Sequence, residues 1–101
     1  AVPMKRIAYM SDISSVPEEV KVLLRAFDPE IVILDGLNPD VHNSAHMSVR
    51  ESTEVAVDMR FPQTYIVGMS CRVDYHEVSK ELNAISEKEG IRICLARDGL
   101  A

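Results

Sequence analysis

Apolar and polar positions along the chain alternate between two patterns. Short runs rich in β-branched residues occupy residues 5–10, 31–35, 64–69 and 91–96, a composition that suits a pleated, half-buried strand. Between them lie three longer amphipathic stretches. Val16, Val20, Leu23, Leu24 and Phe27 recur at helical spacing, as do Val78, Leu82 and Ile85, so the first and third stretches each present one apolar stripe. Ser15-Val16-Pro17-Glu18 and Ser48-Val49-Arg50-Glu51 both carry the hydroxyl-x-x-Glu capping box, in which the first side chain and the Glu satisfy each other's backbone N–H. Asp74-Tyr75-His76-Glu77 is its acidic version. Pro29, Pro62 and Gly90 stand where the three helices should stop. The predicted order is β-α-β-α-β-α-β.

Helical crossovers of this length join parallel neighbours, so the sheet is expected to be at least partly parallel and the fold class α/β. Ile31 to Leu34 and Tyr65 to Val67 are apolar at consecutive positions, which predicts strands covered on both faces. Three helices cover one face. If all three lie on the same side, the other face needs a second layer, from a second copy of the chain or from a missing partner.

At 101 residues the chain is expected to form one domain. Its 16 acidic residues outnumber 11 basic ones, for a net charge of −5. That balance argues against non-specific binding to nucleic acid or an anionic membrane, both of which need a basic face. No apolar run approaches the ~20 residues of a membrane span, and no signal-peptide core opens the chain. Two cysteines, Cys71 and Cys94, do not make a disulfide framework. The expected location is the cytoplasm.

In an open parallel sheet, ligands bind beyond the carboxyl ends of the strands. The reactive side chains follow that rule. Asp12 comes after the first strand, Asp35, His42 and His46 after the second, Cys71 and His76 after the third, and Asp98 after the fourth. Aspartate and histidine suit borderline divalent metals such as zinc, manganese or iron. Each residue also has a plainer reading. Asp12 orders a turn; Asp35-Gly36-Leu37 and Asp98-Gly99-Leu100 read as turn chemistry; His42 and His46 stand in a loop; Cys94 is a packed strand thiol. Glycine-rich dinucleotide and nucleotide loops are missing, as is the Gly-x-Ser-x-Gly elbow.

Six segments in order carry a more specific signal. They are residues 8–12 (AYMSD), 16–19 (VPEE), 33–37 (ILDGL), 45–48 (AHMS), 68–70 (GMS) and 96–100 (ARDGL). Together they resemble the C-terminal half of a metallo-beta-lactamase-fold hydrolase, in the branch that includes cyclic phosphodiesterases of phosphonate metabolism and hydrolases encoded near lipoate ligases. The resemblance spans nearly the whole chain and implies one half of an αββα sandwich. It also implies zinc or manganese in the complete fold, with Asp12 bridging two ions held about 3.5–4 Å apart. His46 corresponds to a general acid or phosphate-contacting residue, a task suited to a side chain that titrates near neutral pH. Asp35 and Asp98 match positions that look structural in the family.

The departures are specific. The family's His-x-His-x-Asp-His segment occurs nowhere in these 101 residues, and in its Thr-His-Met-Ser-His context Gly68 and Cys71 stand at the two histidine positions. Asp12 and Cys71 are left as metal-ligand candidates, with His42 and His76 as helpers. The leading expectation is an incomplete or divergent metal-dependent hydrolase of phosphodiesters or related esters, lacking its N-terminal metal-binding half and binding metal weakly or not at all by itself. The alternative is a self-associating, non-catalytic interaction module that keeps the half-fold. A third reading is a thiol enzyme using Cys71 with His76 or His46.

Overall fold

The computed structural model describes residues 6–10, 15–37, 46–68 and 75–96. Their elements run β1 (Ile7–Met10), α1 (Glu18–Phe27), β2 (Ile31–Asp35), α2 (Val49–Met59), β3 (Gln63–Val67), α3 (Tyr75–Glu89) and β4 (Arg92–Leu95). The strands form one sheet in the order β1-β2-β3-β4, and every neighbouring pair is parallel. The expected α/β class holds, and the sheet is parallel throughout.

Sequential parallel strands joined by right-handed crossovers place every helix on the same side of the sheet. Burial follows. Val32, Leu34, Ile66, Ile93 and Leu95 are buried together with Leu24 of α1, Val49 and Ala56 of α2, and Val78 and Leu82 of α3. The alternate residues Ile31, Ile33, Tyr65, Val67 and Cys94 are only half-buried, and on β1 Ile7 and Tyr9 are exposed by 53% and 63%. Among the described residues this is the arrangement in which the apolar run of each strand calls for another layer. Three helices cover one face, and an apolar second face remains.

Helix boundaries separate local signals that operate from one that is overridden. Ser48 caps α2 with the full reciprocal box: its hydroxyl accepts from Glu51 N at 3.1 Å and its own N–H donates to Glu51 Oε1 at 2.9 Å. Ser15 does not cap α1. The N-cap is Pro17, with no side-chain cap bond. The reason is steric, because the proline ring disfavours helical geometry at Val16, the residue before it, and the helix cannot open where the box requires. Asp74 lies outside the described residues.

The apolar stripe of α1 is also only partly used. Val16 and Leu24 are buried, but Leu23 and Phe27 are 69% and 47% exposed. Lys21 pairs with Asp58 of α2 at 3.7 Å, which turns that flank of α1 toward α2. Leu23, two positions on, lies on the opposite flank of the helix and is exposed.

Left-handed residues end all three helices. Gly90 (φ 72) was expected from the sequence; Asp28 (φ 52) and Arg60 (φ 57) do the same work ahead of Pro29 and Pro62. Arg60 joins two elements, since its guanidinium reaches the Glu89 carboxylate at 3.1 Å and the Glu89 carbonyl at the end of α3. The N–H groups of Phe61 and Ile91 close back onto Ala56 O and Ser86 O, and both side chains enter the core. Each cap thus delivers an apolar residue behind it.

Two stability effects follow. A Cβ added at Gly90 meets nothing within 4 Å, so Gly90→Ala should lose only conformational energy, roughly 1–2 kcal/mol in urea denaturation. Thr64 is fully buried and its hydroxyl has no hydrogen-bond partner among the described residues. Thr64→Val should therefore gain about 1 kcal/mol in the same assay by removing a desolvated donor, and a loss of that size would show that the hydroxyl is satisfied in solution.

Candidate functional site

All four strands run in one direction, so their carboxyl ends share one rim. Asp35 is the last residue of β2 and is paired in register with Val67 of β3. Its surroundings are tightly defined. The Ser52 hydroxyl of α2 donates to the Asp35 carbonyl oxygen, and the next N–H, that of Gly36, donates to Val67 O at 2.8 Å. A Cβ at Gly36 would overlap a methyl group of Ile66 and approach Val49 Cγ2 to 2.9 Å. Only glycine fits between these core side chains, and the peptide after Asp35 is held against them.

His46 approaches the same point from the other end of the β2–α2 connection. The Leu37 N–H donates to Met47 O at 3.0 Å, Met47 is buried, and Ser48 begins the capping box of α2. Between these fixed points, His46 Nδ1 lies 2.9 Å from Asp35 Oδ2. The carboxylate side chain is 7% exposed and the imidazole 34%. One partner is therefore buried and anchored, and the other is partly exposed. Such a pair can carry a proton on the ring while the carboxylate compensates the charge.

The structure adds a contact to what the sequence context of Asp35 suggests. The Asp-Gly-Leu pattern reads as turn chemistry, whereas the side chain is buried and bonded to His46. His46 was read singly, and its partner was missed because the two are 11 positions apart and no local motif links them. His76 is exposed in the first turn of α3. Asp12, His42, Cys71 and Asp98 lie outside the described residues.

Zinc takes four ligands, and catalytic zinc usually three from protein. Among the described residues no three His, Cys, Asp or Glu side chains come together as a metal centre, and His46 Nδ1 is already bonded to Asp35. The described donor set does not fit zinc or manganese. Among the same residues no helix is long and apolar enough to cross a membrane.

The chain matches no protein-family profile and no curated protein. Five chains of solved structures are similar to it. One is described as a new diphosphatase from the PhnP family. It is 27% identical, superposes with a TM-score of 0.77, and is matched over 95% of this chain. This chain spans 34% of the length of that diphosphatase. The fold implied by the sequence resemblance is thus the fold observed, that of a hydrolase-like α/β unit.

Cys94 gives a test of the local environment. It sits on the open side of β4, with Gln63 Nε2 3.6 Å from its sulfur. Burial pushes its thiol above the ordinary range, against smaller lowering effects from the Gln63 contact and the charge of Arg92. A raised thiol is more protonated at a given pH, so alkylation of Cys94, followed by peptide mass mapping, should stay slow through neutral pH. Its midpoint should lie above the value of about 8.5 for a free thiol, and a midpoint at or below that value would contradict the burial.

Proposed function

We propose that this chain forms the proton-donating half of a metal-dependent hydrolase acting on phosphodiesters or related esters. In this reading the metal-binding residues come from Asp12, Cys71 and an N-terminal half outside these residues. The observation that carries it is the 2.9 Å contact between partly exposed His46 and buried Asp35 at the carboxyl rim of the sheet. The likeness to a PhnP-family diphosphatase supports the same reading. As a water oxygen bonds to phosphorus, protonated His46 gives a proton to the oxygen of the departing alcohol or phosphate, whose bond to phosphorus breaks. The ring becomes neutral, and Asp35 balances its charge beforehand. General-acid assistance of this kind typically contributes about 10²–10⁴-fold.

Leaving-group dependence tests the assignment. The protein isolated from its native source, supplied with zinc or manganese, should hydrolyse a methyl phosphodiester and a 4-nitrophenyl phosphodiester. His46→Gln should slow the methyl ester by about 10²–10⁴-fold and the nitrophenyl ester far less, because nitrophenolate departs without a proton. Equal slowing of both removes the acid role. Calorimetric titration of the isolated 101-residue chain with zinc should give no stoichiometric binding, and a tight two-ion centre there would overturn the incomplete-site reading.

A second reading is a self-associating interaction module without catalysis. The open sheet face favours it, since Ile7 and Tyr9 are exposed beside the half-buried Ile31, Ile33, Tyr65 and Val67. Sedimentation of the isolated chain at micromolar concentration separates the cases: a stable dimer supports the module, and a strict monomer removes it.

A further inference from the structure

We infer that Asp35 is a positioning residue: its buried carboxylate fixes neutral His46 in the Nδ1–H tautomer, so that the ring exchanges protons with its surroundings through Nε2. The role of that nitrogen as an acid rests on the proposed hydrolase reading; the tautomer does not. An ionised carboxylate only accepts hydrogen bonds, so the 2.9 Å contact between Asp35 Oδ2 and His46 Nδ1 requires a hydrogen on Nδ1. In the imidazolium both nitrogens carry hydrogen. When the ring loses one proton, the hydrogen facing the carboxylate stays and the one on Nε2 leaves.

What makes this pair a positioning device is the rigidity of its two supports. On one side, the Asp35 carbonyl is held by Ser52 and the following Gly36 is wedged against Ile66 and Val49. On the other side, Met47 accepts from Leu37 and Ser48 starts α2. The Leu37–Met47 bond ties the two short segments directly together one residue beyond His46 and two beyond Asp35. The bond to an anchored carboxylate oxygen disfavours both a ring flip and the other tautomer. That is the second-layer support a working imidazole needs.

Long-range 1H–15N correlation spectra of the full chain read the tautomer directly. The chain has three histidines, and the His46 ring is identified by the signals missing in His46→Gln. In its neutral form, wild-type His46 should show the Nδ1–H pattern, with Nε2 at the shift of an unprotonated nitrogen. In Asp35→Ala the pattern should move toward Nε2–H, the form a free imidazole prefers, while His42 and His76 keep theirs. A wild-type Nε2–H pattern overturns the inference even if Asp35→Ala fails to fold, and so does an unchanged pattern in a folded Asp35→Ala. If the tautomer behaves as expected while His46→Gln leaves methyl-ester hydrolysis intact, the positioning stands and the hydrolase reading falls.

Discussion

The sequential parallel order of the four strands constrains everything else in this chain. Each strand pairs with its neighbour in sequence, and residues of all three described helices share one core with alternate strand residues. The helices therefore collect on one side and bury one residue of every two along each strand. The same directionality brings every strand-to-helix connection to a single rim. Burial, the open face and the location of the polar chemistry are three consequences of that one ordering. None requires a specific contact until the rim itself is considered.

At the rim, the core and the dyad share parts. Gly36 packs against Ile66 and Val49, both core residues, and in doing so anchors the carboxylate beside it. Ser52 of α2 is fully buried and bonds the Asp35 carbonyl. An ionisable pair in such a place is a poor way to gain stability, because desolvating the charges offsets much of their attraction and an apolar pair would serve as well. Asp35 is nevertheless charged-type, buried and joined to a partly exposed imidazole. The arrangement makes chemical sense as a means of holding His46 in one orientation, which the stability argument does not provide.

Signals confined to a few consecutive residues were legible in the sequence. The four strands, the Ser48 box and the Gly90 cap all depend on neighbours within one helical turn or one strand. The Ser15 box failed for an equally local reason, the proline that follows Val16, which the spacing rule ignores. Leu23 and Phe27 failed for a non-local one: their helical phase is right, but on that flank of α1 the described residues leave them exposed. The Asp35–His46 contact belongs to the same class. Both residues were identifiable as rim candidates, while their pairing depends on how the connection between β2 and α2 folds back, which Leu37 and Met47 record only once the backbone is in place. The Thr64 hydroxyl, without a partner among the described residues, is likewise invisible before the core is assembled.

Asp35 also links the rim to the uncovered face. Its position on β2 alternates with Leu34, so it shares a side of the sheet with Ile31 and Ile33. Those two are half-buried and Asp35 is buried, the difference being the end of the strand, where His46 stands against the carboxylate. A layer laid on the apolar face would run along Ile31 and Ile33 and end beside the dyad. Excluding water there would strengthen the bond between Asp35 and His46, because a hydrogen bond is stronger where the local dielectric is lower. Covering the sheet and tightening the site are then the same event, and a chain that leaves the face open also leaves its dyad in the weaker electrostatic setting.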